Sequence, residues 1–134
     1  MRISTNFILI DDSSFDLFIY EKLLIKCGIA STVRKYFSAK DAHRWLRENG
    51  PTLPETVILL DLQMPDMNGF EFIEAYHLLD DSIKSKVDIF MLSSTIDSRD
   101  IERVKSNPYI LDLLSKPLDI EILHDKLVAL KLKD

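Results

Sequence analysis

The stretch Val57-Ile58-Leu59-Leu60-Asp61-Leu62-Gln63-Met64-Pro65-Asp66-Met67-Asn68-Gly69 carries four apolar residues straight into a carboxylate, with Met-Pro and Asn-Gly turn signals directly behind it. An unbroken apolar run bounded by turn residues is the pattern of a strand covered on both faces. Such a strand belongs to a parallel sheet between two layers of helices, and this one delivers Asp61 to its tip. A strand ending in an acid can simply be a strand reaching water. The neighbouring segments decide whether Asp61 is more than that.

Upstream, residues 6–10 (NFILI) read as a first strand and residues 13–26 as a helix, with Ser13 and Asp16 spaced as a capping box. Gly28 stands where a C′ glycine ends such a helix. Residues 32–37 form a short strand, and Ser38 to Asp41 open a second helix that Gly50-Pro51 ends. The opening stretch supplies the third strand, residues 56–60. Downstream come a helix over 69–79, a strand over 87–92, and a helix over 97–106 stopped before Pro108. A fifth strand spans 110–114 and a last helix 119–130, in which Ile120, Leu123, Leu127 and Leu130 share the core-facing side.

Five β-then-α units in strict alternation predict an α/β fold: a five-stranded parallel sheet, doubly wound, with right-handed crossovers and helices on both faces. No linker, repeat or low-complexity segment interrupts it, so residues 1–134 read as one domain with no effector domain attached. Seventeen basic against 22 acidic side chains give a net charge of −5 and no Lys/Arg cluster, which argues against nucleic-acid binding. The start, MRISTNF, lacks the apolar run of a signal peptide, and no segment approaches membrane-spanning length. Cys27 is the only cysteine, which precludes an intramolecular disulfide; its apolar surroundings in LLIKCG predict a small core residue. A cytoplasmic, reducing location is expected.

In open parallel sheets ligands bind beyond the carboxyl ends of the strands. The first strand ends in Asp11-Asp12, the third in Asp61, the fourth in Ser93-Ser94-Thr95 and the fifth in Ser115-Lys116-Pro117. Each alone is ordinary: an acid pair as a solvated turn, a hydroxyl run as a helix cap, Lys-Pro as a loop. Their coincidence at one sheet edge is not. Crowded carboxylates repel one another unless a cation is present, and an all-oxygen donor set suits Mg²⁺. A carboxylate beside such an ion can attack phosphorus and become an aspartyl phosphate. The transition state then needs its equatorial oxygens stabilised by metal, by Lys and by a hydroxyl or backbone N–H.

FILIDD, LLDLQMPDMNG, MLSS, LSKP and the alternating order together resemble the receiver domains of two-component response regulators, over essentially the whole chain. The resemblance implies the flavodoxin-like strand order 2-1-3-4-5, an order known for the chemotaxis receiver. It implies Asp61 as phosphoacceptor, with Mg²⁺ held by Asp11, Asp12, Asp61 and the backbone carbonyl of Gln63. Ser93 would be the switch hydroxyl and Lys116 the partner of a phosphate oxygen, aimed inward by a cis Lys116–Pro117 bond. The donor would be a sensor histidine kinase or a phosphotransfer protein, and the output a downstream protein partner, with no membrane insertion. Such a chain catalyses only its own phosphorylation and dephosphorylation. Two positions depart from the usual pattern: Ser93 stands where Thr is common, and Leu113 where an aromatic often rotates as readout.

Other chemistries fit less well. No G-x-x-x-x-G-K-[ST] loop is present, and three glycines cannot make a dinucleotide fingerprint. A haloacid-dehalogenase-type phosphatase needs a second Asp where Gln63 stands. His43, His77 and His124 lie in helical segments and read as surface or partly buried residues, and Trp45 as helix packing. The resemblance implies that Gln63 and Thr95, flanking Asp61 and Ser93, tune hydrolysis, while Ile96, Ile101, Val104 and Tyr109 are candidate partner contacts. The rival reading is a receiver-fold binding module that signals without phosphate.

Overall fold

The alternation read from the sequence is present in a computed structural model that describes residues 5–133; the first four residues, part of the segment read for an apolar leader, lie outside the described residues. Strands β1 (Thr5–Ile10), β2 (Ala30–Tyr36), β3 (Thr56–Asp61), β4 (Val87–Ser93) and β5 (Ile110–Ser115) alternate with helices. The helices are α1 (Ser14–Lys26), α2 (Ala39–Asn49), α3 (Gly69–His77), α4 (Asp81–Lys84), α5 (Ser98–Lys105) and α6 (Ile120–Lys133). All strand pairs are parallel and the order is β2-β1-β3-β4-β5. The expected fold is the observed one.

Strand alternation sorts the core into two layers. Phe7, Leu9, Val57, Leu59, Phe90 and Leu92 face α1 and α6, where they meet Leu17, Leu24, Leu123 and Leu127. Ile8, Ile10, Ile58, Leu60, Ile89 and Met91 face the other side, against residues of α2, α3 and α5. Every residue of β3 is buried, as its apolar run requires. Ile120 and Leu130 pack against the α1–α6 layer while remaining partly exposed.

Several local features differ from the expectation. α3 ends at His77, and the short α4 follows, capped by Asp80, whose side chain accepts from the Ser82 N–H. Gly50 continues into a 3-10 turn over Gly50–Thr52 rather than ending the helix outright. A Cβ at Gly50 would lie 2.4 Å from the buried Ile83 side chain, which would have to shift to admit any larger residue. The Asn68-Gly69 turn leads directly into α3, which Asn68 caps in a full capping box with Glu71. Cys27 is exposed, not core. It is the C-cap of α1, just before Gly28 at φ 72°. The Gly28 and Ile29 N–H groups return to Ile25 and Leu24, a Schellman motif that turns the Cys27 side chain outward. No helix among the described residues is long and apolar enough to cross a membrane.

Candidate functional site

Register brings the strand tips level. Ile10 pairs with Leu60, so the residues that follow them, Asp11 and Asp61, emerge side by side. Asp61 in turn pairs with Leu92, and Ser93 with Ser115, which places the Ser93 hydroxyl and the Lys116 ammonium at the same edge. Backbone bonds fix the exits: Leu62 N–H donates to the Leu92 carbonyl (2.8 Å) and Lys116 N–H to the Ser93 carbonyl (2.9 Å). The Lys116–Pro117 bond is cis, as expected.

Asp11, Asp12 and Asp61 each offer an oxygen, and these oxygens lie within 4.8 Å of one another. Asp11 and Asp61 are buried and Asp12 is exposed, so the group opens to water on one side. Carboxylate oxygens alone, close together and half desolvated, form a donor set that fits a hard divalent ion. Asp61 behaves accordingly. Burial, and then the neighbouring Asp11 charge, push its carboxyl up from 3.8 to about 6, against the opposing pull of Lys116 and the Gln63 N–H.

Lys116 reaches into this cluster with its Nζ 2.8 Å from Asp11 Oδ2, 3.1 Å from Asp16 Oδ2 and 3.4 Å from Asp61 Oδ1. Burial works against the ammonium, but the hydrogen bond and charge of Asp11, with Asp61 and Asp16, outweigh it and raise its pKa. Three donors thus face three carboxylates. Asp11 Oδ1 also accepts from the Ser13 N–H (2.8 Å), and Asp61 Oδ1 from the Gln63 N–H (3.2 Å).

The hydroxyl run divides its tasks. Ser93, fully buried, donates to the Thr95 carbonyl (2.6 Å) and accepts from the Thr95 N–H (3.2 Å). Ser94 donates to Gln63 Oε1 (3.2 Å), joining the loops after β3 and β4. Gly69 fits closely beside Asp61: a Cβ there would sit 3.0 Å from Leu62 Cα and 3.1 Å from the Asp61 carbonyl oxygen, so one or the other would have to give.

Asp11, Asp12, Asp61, Ser93 and Lys116 therefore converge as the sequence indicates, with Gln63 on the adjoining loop. Sequence reasoning missed Asp16. Its spacing from Ser13 marked it as a capping-box partner, and its backbone N–H does donate to Ser13 Oγ (3.2 Å). Its carboxylate instead goes to Lys116, one hundred positions away in the chain. The Ser94–Gln63 bond was also unforeseen. Of the expected contact residues Ile96 and Ile101 are exposed and Tyr109 half-buried, but Val104 is buried against the sheet and holds α5 down. Leu113 is partly buried against the same layer.

A family model described as "Response regulator receiver domain" matches residues 7–128. Among solved structures, a response regulator receiver protein from Dyadobacter fermentans is 50% identical, with a TM-score of 0.86, covering 92% of this chain and 94% of that one. A two component response regulator from Cytophaga hutchinsonii is 24% identical at a TM-score of 0.82, covering 96% and 99% of the two chains. The Vibrio cholerae chemotaxis protein CheY4 is 23% identical at 0.75, covering 94% and 98%. These last two speak for the fold alone. No curated protein matches the chain.

Proposed function

The chain belongs to the response regulator receiver family, and on that premise we propose that it takes a phosphoryl group on Asp61 and passes the change to a protein partner. The observation that carries this reading is the placement of the Lys116 ammonium 3.4 Å from Asp61 Oδ1, beside a three-carboxylate cluster in which Asp11 and Asp61 are buried and Asp12 faces water. A carboxylate so placed is a nucleophile with its charge compensation already at hand.

The donor is the phosphohistidine of a sensor histidine kinase or phosphotransfer protein. An Asp61 oxygen attacks phosphorus in line, the Oδ–P bond forms, and the P–N bond breaks with its electron pair going to the donor's imidazole, which leaves as a neutral ring because its other nitrogen already carries a proton. Asp11, Asp12 and Asp61, with the backbone carbonyl of Gln63, are the residues that would hold Mg²⁺; when bound, the ion offsets carboxylate repulsion and polarises a phosphoryl oxygen. Lys116 pairs with a second oxygen. Ser93 turns from the Thr95 carbonyl to a third, drawing the loop after β4 with it.

The new group adds about −1.5 to −2 charge at pH 7, inside a site that held a balanced lysine. The rearrangement of the Ser93 loop is passed to α5, and a partner that prefers one arrangement reads the state. Hydrolysis returns the acid, with Gln63 and Thr95 flanking the path of the attacking water.

The test is incubation with acetyl phosphate and Mg²⁺. The intact protein should gain a phosphoryl mass that Asp61→Asn does not. If the wild-type chain gains none, the reading gives way to a binding module that works without phosphate.

A further inference from the structure

Among the carboxylates around Lys116, Asp16 alone is neither the proposed acceptor nor a candidate metal ligand. It leaves the first turn of α1, where its backbone is fixed by the Ser13 cap, and its side chain is partly exposed. Its Oδ2 lies 3.1 Å from Lys116 Nζ, only slightly farther than the Asp11 oxygen at 2.8 Å and nearer than the Asp61 oxygen at 3.4 Å. The ammonium has three protons, and each has a carboxylate within ion-pair reach. A phosphoryl oxygen arriving on Asp61 must therefore compete for one of them.

We infer that Asp16 is a positioning residue that tethers Lys116 in the resting state and sets how readily the lysine transfers to a phosphoryl group. The inference rests on the reading of Asp61 as phosphoacceptor. Asp11 is drawn upon by the metal and Asp61 by phosphorus, so both of their claims on Lys116 change during the reaction. The claim of Asp16 does not. Its carboxylate also stays close to where a dianionic group would form and opposes that charge. Both effects favour the resting state. The Asp16–Lys116 pair also joins α1 to the start of the loop after β5 while the lysine remains unengaged, so occupancy of Asp61 loosens this link.

Beryllofluoride, a phosphoryl mimic, tests the tether through binding alone. Its affinity at saturating Mg²⁺ is measured by fluorine NMR for the wild type, Asp16→Asn, Asp16→Glu and Asp61→Asn. Asp16→Asn should bind three- to tenfold more tightly than the wild type, and added salt should narrow the gap. Asp16→Glu, which keeps the charge, should stay near the wild-type affinity; a purely structural role in α1 would not tighten binding in Asp16→Asn, nor make the gap depend on salt. Equal or weaker binding by Asp16→Asn overturns the tether while leaving the acceptor reading intact. Absence of binding in the wild type, or undiminished binding in Asp61→Asn, removes the acceptor reading and the tether with it.

Discussion

The Arg103 guanidinium lies 3.7 Å from the centre of the Phe70 ring, which couples α5, the helix after Ser93, to the first turn of α3, the helix after Asp61. Beyond this stack, Val104 is the only buried residue of α5. A helix so lightly held is suited to shifting between two packings. Arg103→Ala should lower global stability by about 1 kcal/mol and reduce hydrogen-exchange protection in α5 more than in α2. Uniform loss across both helices would assign the stack a general role instead.

Asp61 should make the metal-free protein less stable as pH rises through the range from 4 to 6. The unfolded carboxyl releases its proton near 3.8 and the folded one near 6, so the folded state binds more protons between those values. Stability then falls with rising pH. Asp61→Asn removes this slope and should stabilise the metal-free protein at pH 7 by on the order of 2 kcal/mol. Urea unfolding of both proteins between pH 4 and 8 measures it. A mutant less stable than the wild type at pH 7 contradicts the argument.

Gln63 and Ser94 should act as a pair on the lifetime of the phosphoryl group. Ser94 fixes the Gln63 carboxamide, so Ser94→Ala and Gln63→Ala should each change the decay rate, and the double variant should change it by less than the product of the two. Mg²⁺ affinity should stay as it is, since the backbone carbonyl of Gln63 is untouched. Multiplicative effects would show that the two side chains act independently.

Gly69→Ala should perturb the acceptor loop from behind. The added methyl meets Leu62 Cα and the Asp61 carbonyl at 3.0 and 3.1 Å, and backbone atoms have little room to give. A destabilisation of about 1–3 kcal/mol and slower phosphorylation by acetyl phosphate are expected. Wild-type stability and rate together would mean that the helix start yields at little cost.

The fold was readable because the central strands β1, β3 and β4 are apolar runs and each long helix carries a cap signal. Ser13, Ser38 and Gly28 do in space what their spacing implied. The site was readable because its residues sit at strand tips, where topology alone makes them converge. What escaped the sequence depends on distance in space. The Asp16 carboxylate had a local partner on offer at the α1 cap, and only the folded chain brings Lys116 to it. Val104 read as a contact residue along with Ile96 and Ile101, yet it is the one buried side chain of α5. Cys27 lies among apolar neighbours in the chain, but the turn at Gly28 sends it outward.

That outward turn has a practical side. Cys27 closes the end of α1 opposite to Asp16, and helix geometry separates the two by about 16 Å along the axis. A single thiol-reactive dye or spin label would therefore attach at one place, clear of the carboxylates. From there it would report whether α1 tilts when the lysine lets go of its first turn.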